Sequence, residues 1–166
     1  MELSRLRTAD LVAGVGGAAL LIVMFLDWYS VRVFGLGVNA EVGVNAWQAF
    51  SIIDVILALT ALSGIGVAVL TASRRSPALP VAAGVITTTL GALATLLVFY
   101  RILNQPGPNE FLEVKFGAFL GFLSVLAVAV GGFRAIRDEE GEDAPVPTDV
   151  RPAPAPVSPS DPAPPA

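Results

Sequence analysis

The chain has 166 residues, of which 54% are hydrophobic and 14% are charged, and its formal net charge at pH 7 is −4. It contains no cysteine and no histidine, which excludes disulfides, thiolate nucleophiles, iron–sulfur clusters and His-based zinc sites. The sequence also has no phosphate-binding glycine loop and no nucleophile–base pair at a recognisable spacing. We therefore expect no enzyme activity, no cofactor and no metal site.

Four apolar segments occupy the first 137 residues, and each approaches the ~20 residues that a helix needs to cross a bilayer. The predicted spans are about 9–29, 49–72, 80–101 and 115–134. The first is not followed by a small-x-small cleavage motif, so we interpret it as an uncleaved helix and not as a signal peptide. The chain is therefore predicted to be all-α, with residues 1–137 forming an antiparallel four-helix transmembrane bundle.

Charged and aromatic residues at the ends of these spans predict their orientation. More Lys and Arg residues flank one side of the predicted bundle than the other, which by the positive-inside rule places both termini in the cytoplasm. The cytoplasmic set is Arg5, Arg7, Arg74, Arg75, Arg134 and Arg137, and the opposite set is Arg32, Arg101 and Lys115. The residues expected to form an aromatic belt at the extracytoplasmic ends are Trp28, Tyr29, Trp47 and Tyr100. We predict a multi-pass protein of the cell (inner/plasma) membrane.

The loop between the first two spans, residues 31–48, alternates apolar residues with small or polar ones. It contains Gly-Val-Asn-Ala twice, at 37–40 and 43–46. One interpretation is a small extracytoplasmic hairpin that recognises a partner. The other, which we favour, is a local duplication in a loop that tolerates change.

Asp54 is the sharpest candidate for a functional group within the spans. An ionised carboxylate in a bilayer costs about 2.5–3.5 kcal/mol on insertion scales, so it usually faces other helices and has a partner. Arg101 is the expected counter-charge, and Asp27 and Lys115 are boundary charges at similar depth. We interpret Asp54 and Arg101 either as a proton or cation site or as an ion pair that fixes helix register, and we favour the ion pair.

Small residues recur at four-residue spacing in every span, which lets helix backbones approach closely in lipid. The glycines expected at these helix contacts are Gly64, Gly91, Gly117 and Gly121. We favour packing within the four-helix bundle. The alternative is that Gly117 and Gly121 form the contact face of a homo-oligomer.

Residues 138–166 differ in composition from the rest of the chain, because they hold nine of the thirteen prolines and seven of the fourteen acidic residues. Such a segment has too few apolar residues to form a core, so we predict a disordered, acidic and proline-rich cytoplasmic tail. Prolines at 156, 159, 162 and 165 would share one face of a polyproline II helix. This spacing suits a proline-recognising partner, and a plain spacer is the interpretation that we favour.

Four short segments carry a resemblance to a known group of proteins. They are Phe-Leu-Asp-Trp-Tyr at 25–29, Asn-Ala-Trp-Gln-Ala-Phe at 45–50 with Asp54, Tyr-Arg-Ile-Leu at 100–103, and the glycine pair 131–132. Over about residues 5–137 the chain resembles uncharacterised small four-helix integral membrane proteins of high-GC Gram-positive bacteria. The resemblance implies the same topology and no particular activity. In such relatives a proline is expected at the position of Asp27, so this chain departs from the pattern there.

These observations together predict a non-enzymatic structural or accessory component of the cell envelope. The expected partners are the lipid bilayer, other membrane proteins or a second copy of the chain, and nucleic acid is not expected. The alternative hypothesis is a small transporter or channel component that uses the intramembrane carboxylate of Asp54.

Overall fold

The computed structural model describes residues 7–35, 38–73, 80–107 and 112–142. In chain order the elements are α1 (Thr8–Val23), β1 (Asp27–Gly35), β2 (Val38–Asn45), α2 (Ala46–Ala49), α3 (Ile53–Ser73), α4 (Pro80–Leu103), β3 (Leu112–Val114) and α5 (Phe116–Glu142). Most of the described residues are helical, as predicted. The periodic prolines of the predicted tail lie outside the described residues.

Three helices, α3, α4 and α5, are long and apolar enough to cross a membrane. The helix α1 is also apolar but has 16 residues, a length of about 24 Å at ~1.5 Å per residue. The first span was predicted to extend to residue 29, whereas α1 ends at Val23. It ends there because the aromatic and β-branched residues that follow Asp27 form a strand.

Small residues allow the helices to pack closely. The helices α1 and α4 each pack against α3 and α5. A Cβ atom added at Gly64 would lie 2.6 Å from the carbonyl oxygen of Ala13, and one added at Gly91 would lie 2.7 Å from Cα of Ala129. The backbones of α1 and α3, and those of α4 and α5, are therefore in direct contact at these two glycines.

The strands form one antiparallel sheet in the order β2-β1-β3. It lies at the end of the helices where α1 and α4 finish and α3 and α5 begin, which we call the sheet end. β1 and β2 form a hairpin in which Val31 pairs with Val42 and Arg32 pairs with Glu41. The all-α prediction is wrong for this region. The alternation in residues 31–48 is that of strands, and β3 gives β1 a second hydrogen-bonded neighbour.

The helix α5 continues beyond its predicted span. It was expected to end near residue 134 and instead runs to Glu142, so it includes the first residues of the predicted tail. The change from apolar to charged residues does not end the helix, because Arg and Glu are good helix formers. The domain boundary predicted at residue 137 therefore falls within a helix.

Candidate functional site

The sheet end contains a cluster of aromatic side chains beside one arginine. Trp28 and Tyr29 on β1 are 0% exposed, and Phe50, which follows α2, is 5% exposed. The rings of Trp28 and Tyr29 both meet the Phe50 ring edge-on, with centroid distances of 5.6 Å and 5.9 Å. Arg101, in the last turn of α4, lies over the same phenyl ring. We call these four residues the sheet-end cluster.

Trp28 joins β1 to two helices. Its indole Nε1–H donates a hydrogen bond of 2.9 Å to the carbonyl oxygen of Val23, at the end of α1. Its six-membered ring lies directly on Gly121 of α5, where an added Cβ would overlap ring carbons. The backbone of Asp27 occupies the space above Gly117 in the same way. Gly117 and Gly121 therefore face the start of β1, whereas the sequence predicts that they face another helix.

Tyr29 joins the sheet to α4. Its hydroxyl donates a hydrogen bond of 3.1 Å to the carbonyl oxygen of Arg101. Burial raises the pKa of the Tyr29 hydroxyl to about 12, although the positive charge of Arg101 lowers it. The hydroxyl is therefore protonated at neutral pH and can donate this bond. Trp28 and Tyr29 were expected in an aromatic belt, but both are buried, whereas Trp47 and Tyr100 are exposed.

The predicted ion pair between Asp54 and Arg101 is not formed among the described residues. The guanidinium carbon of Arg101 lies 5.8 Å from the centroid of the Phe50 ring, an arrangement typical of a cation–π contact. The Nε atom of Arg101 is buried without a hydrogen-bond acceptor. The pairing was predicted because Asp54 and Arg101 lie at similar depth along their helices. The side chain of Arg101 is instead directed to the ring of Phe50.

Asp54 is buried in the first turn of α3. Its Oδ1 atom accepts a hydrogen bond of 2.7 Å from the backbone N–H of Val55. The first N–H groups of a helix have no intrahelical acceptor, and the helix dipole favours a negative charge there. This geometry supports a structural role for Asp54 as a stabiliser of the helix terminus.

We expect Asp54→Asn to lower the free energy of unfolding by roughly 0.3–1 kcal/mol, because the amide keeps an acceptor but loses the charge at the helix terminus. The double variant with Arg101→Gln should show additive effects within about 0.5 kcal/mol, as for residues without a shared contact. Unfolding by sodium dodecyl sulfate in mixed micelles and phosphate-free buffer measures both values. A coupling energy well above 1 kcal/mol would restore the ion-pair interpretation.

The boundary charge Lys115 belongs to a network on the sheet. Its Nζ lies 3.3 Å from Oε2 of Glu41 and 3.8 Å from Oε2 of Glu113. Arg32 completes the network through ion pairs with the same two glutamates. The network balances two cations with two anions and lies at the protein surface. Lys115 is therefore committed to the sheet and does not serve as a counter-charge for Asp54.

The boundary charge Asp27 and the duplicated tetrapeptide meet at the base of the hairpin. Gly43, in the second copy, leaves room for the Asp27 carboxylate, which an added Cβ would overlap. Asn45 of the same copy caps α2, because its side chain accepts a hydrogen bond of 3.0 Å from the backbone N–H of Gln48. The second copy of the repeat therefore has specific structural roles at the end of β2.

A groove of about 430 Å³ runs between α1 and α5. Its walls are almost entirely apolar, with Val15 and Leu123 among the lining residues and Gly16 and Ala127 beside them. The hydroxyl of Ser124 is in the same wall and donates to the carbonyl oxygen of Leu120, one turn back. The groove can hold an apolar chain, and Thr8 is the other residue of its lining that carries a hydroxyl. In the described parts of the chain, no three acidic side chains converge as a metal site.

Comparison with known proteins gave no match to a family model, a curated protein or a solved structure. The resemblance to four-helix membrane proteins therefore stays a prediction.

Proposed function

We propose that the protein is a non-enzymatic integral membrane protein of the cell membrane that crosses the bilayer four times, with both termini in the cytoplasm. The outward faces of the helices carry the main support for this proposal. Large apolar side chains such as Leu62 on α3, Leu96 on α4 and Leu123 on α5 are 57%, 67% and 59% exposed. Water disfavours so many exposed apolar groups, whereas lipid does not.

Besides α3, α4 and α5, the short helix α1 also crosses the bilayer in this proposal. The chain continues from α1 through Met24, Phe25 and Leu26, and the last two side chains are also exposed and apolar. Phe25 lies 6.0 Å from Trp47 between ring centroids, and an exposed aromatic pair of this kind suits the boundary between lipid and water. Helix and turn together approach the thickness of the hydrocarbon core, about 30 Å.

The sheet is the extracytoplasmic part in this proposal. Its surface network of Arg32, Glu41, Glu113 and Lys115 suits an aqueous environment outside the bilayer. The sheet is attached to the helices through the buried cluster, so it presents a firm surface to other molecules. This combination supports a structural or accessory role in the cell envelope, in which the sheet or the tail contacts another membrane protein.

The orientation can be tested with single cysteines, because the chain has none of its own. Glu41→Cys lies on the sheet, and Arg134→Cys lies towards the other end of α5, with both original side chains exposed. In intact cells we expect a membrane-impermeant maleimide to label the cysteine at 41, while the cysteine at 134 is labelled after permeabilisation.

Each labelling pattern has a distinct meaning. The reverse pattern would overturn the proposed orientation, and labelling of both sites in intact cells would overturn the placement of the helices across the membrane. Detergent-solubilised protein, in which both cysteines should react, is the control for their intrinsic accessibility.

A further inference from the structure

Arg101 carries hydrogen-bond donors that the described protein does not satisfy. A guanidinium has five N–H donors and stays charged at any pH that a folded protein tolerates. The Nε atom of Arg101 is buried without an acceptor, and the two terminal nitrogens are accessible and also have none within the described ranges. A buried donor left without a partner is costly, and more so when it belongs to a charged group.

Among the described residues, the acceptors at the sheet end bond to other donors and not to Arg101. The carboxylate of Asp54 accepts from the backbone of Val55, and the carbonyl oxygen of Arg101 itself accepts from Tyr29. Glu41 and Glu113, on the sheet, pair with Arg32 and Lys115. The dipole of α4 favours a cation in its last turn, which explains why the arginine is tolerated there, but the ring face of Phe50 accepts no hydrogen bond in the guanidinium plane.

Gln105 carries a second unsatisfied group near the same end of α4. It lies four residues after Arg101, just past the end of α4, and its Oε1 atom is buried without a donor. Arg101 therefore lacks an acceptor while Gln105 lacks a donor, at one end of one helix. A single ligand that accepts from the first and donates to the second would satisfy both side chains.

We propose that Arg101 and Gln105 form a binding site for a phosphate group that carries a hydroxyl. The planar guanidinium matches two phosphate oxygens in a bidentate arrangement. The hydroxyl, either of a glycerol headgroup or of inorganic phosphate itself, donates to Oε1 of Gln105. The lipid source rests on the proposed function, because it requires the sheet end to lie at the level of the headgroups, whereas the free-phosphate source does not.

The test uses the full chain, purified in a neutral detergent and examined by native mass spectrometry. The probes are phosphatidylglycerol, diacylglycerol with the same acyl chains, and inorganic phosphate. We expect the wild type to retain phosphatidylglycerol and not diacylglycerol, and Arg101→Gln to weaken retention about tenfold or more, as expected for a charge-assisted hydrogen bond. Arg32→Gln is the matched control, because that arginine is on the same side but already paired, and its retention should stay within about twofold.

Competition identifies the source of the phosphate. Displacement of the lipid by millimolar inorganic phosphate would assign the site to free phosphate, and retention of the lipid would assign it to a headgroup. The proposal is overturned if Arg101→Gln binds phosphatidylglycerol and inorganic phosphate as tightly as the wild type does. It is also overturned if Arg32→Gln loses these two ligands to the same extent as Arg101→Gln. Recovery of the protein in soluble form without detergent would contradict the proposed function. It would not affect the measured binding of inorganic phosphate.

A second variant keeps the proposal testable if Arg101→Gln does not fold. The wild type should prefer phosphatidylglycerol over phosphatidylmethanol, which has the same charge but no hydroxyl, by roughly 2–10-fold, the value of one neutral hydrogen bond. Gln105→Leu should remove this preference while retaining both lipids. Equal binding of the two lipids by the wild type would overturn the proposed role of the hydroxyl.

Discussion

Trp28→Ala is expected to lower the free energy of unfolding by about 3–5 kcal/mol, the range for removing a buried aromatic side chain. The indole is fully buried and contacts Phe50 edge-on. It also covers Gly121 on α5 and donates to the carbonyl oxygen of Val23. The substitution therefore leaves a cavity at the point where the sheet meets the helices, and removes one of the two hydrogen bonds that the carbonyl oxygen of Val23 accepts.

Trp47→Ala provides a matched control, because Trp47 is the second of the two tryptophans and is 39% exposed. We expect this variant to lose less than about 1 kcal/mol, as is usual for a surface position. Unfolding in mixed micelles, followed by circular dichroism, measures both, and each variant keeps one tryptophan as a fluorescent probe. Equal losses for the two variants would contradict the described burial of Trp28.

Gly64→Ala is expected to destabilise the protein by about 1–3 kcal/mol, the usual effect of adding atoms to a packed interior. The added methyl would lie 2.6 Å from the carbonyl oxygen of Ala13 and 3.3 Å from both methyl groups of Val128. A backbone carbonyl cannot move aside as the end of a flexible side chain can. The helices α1 and α3 would therefore have to separate.

The control for this prediction lies two residues away in the same helix. An added methyl at Gly66 would meet nothing within 4 Å, so Gly66→Ala should stabilise the protein by about 0.5–1 kcal/mol through helix propensity alone. The same unfolding assay measures both variants. Stabilisation by both substitutions would show that α1 and α3 do not approach closely at Gly64.

The long helices could be predicted because a helix in lipid is apolar on both its inner and outer faces, which makes length and hydropathy reliable signals. Because both faces are apolar, the sequence does not distinguish them and does not show which residues of α3 contact α1. Gly64 and Gly91 were nevertheless expected at helix contacts, since a glycine in the middle of an apolar helix lowers its stability unless it allows a close approach.

The sheet could be predicted only in part. The alternation within residues 31–48 is a strand signal, but it stands in a connection between two helices and was interpreted there as a tolerant loop, while Tyr29 was assigned to the end of the first span. The strand β3 has three residues, too few to give a pattern of its own. The pairing of β1 with β3 depends on contacts between distant parts of the chain, which short-range patterns do not contain.

The candidate site could also be predicted only in part from the sequence. Asp54 and Arg101 were singled out from the sequence as charges within or beside the spans, and their depth along the helices suggested that they pair. Depth does not determine the direction of a side chain, and the guanidinium lies over Phe50 instead. Gln105 was not singled out from the sequence, because a glutamine in a polar loop gives no signal until the burial of its oxygen is known.

The pairing of β1 with β3 has a consequence for biosynthesis. Val31 pairs with Leu112, and the backbone N–H of Lys115 donates to the carbonyl oxygen of Trp28. At ~5–20 residues per second, translation takes on the order of ten seconds to deliver the later partner. Until then the hairpin has an unpaired strand edge, a known starting point for aggregation. A chain truncated before residue 112 therefore keeps this strand edge unpaired and cannot complete its sheet.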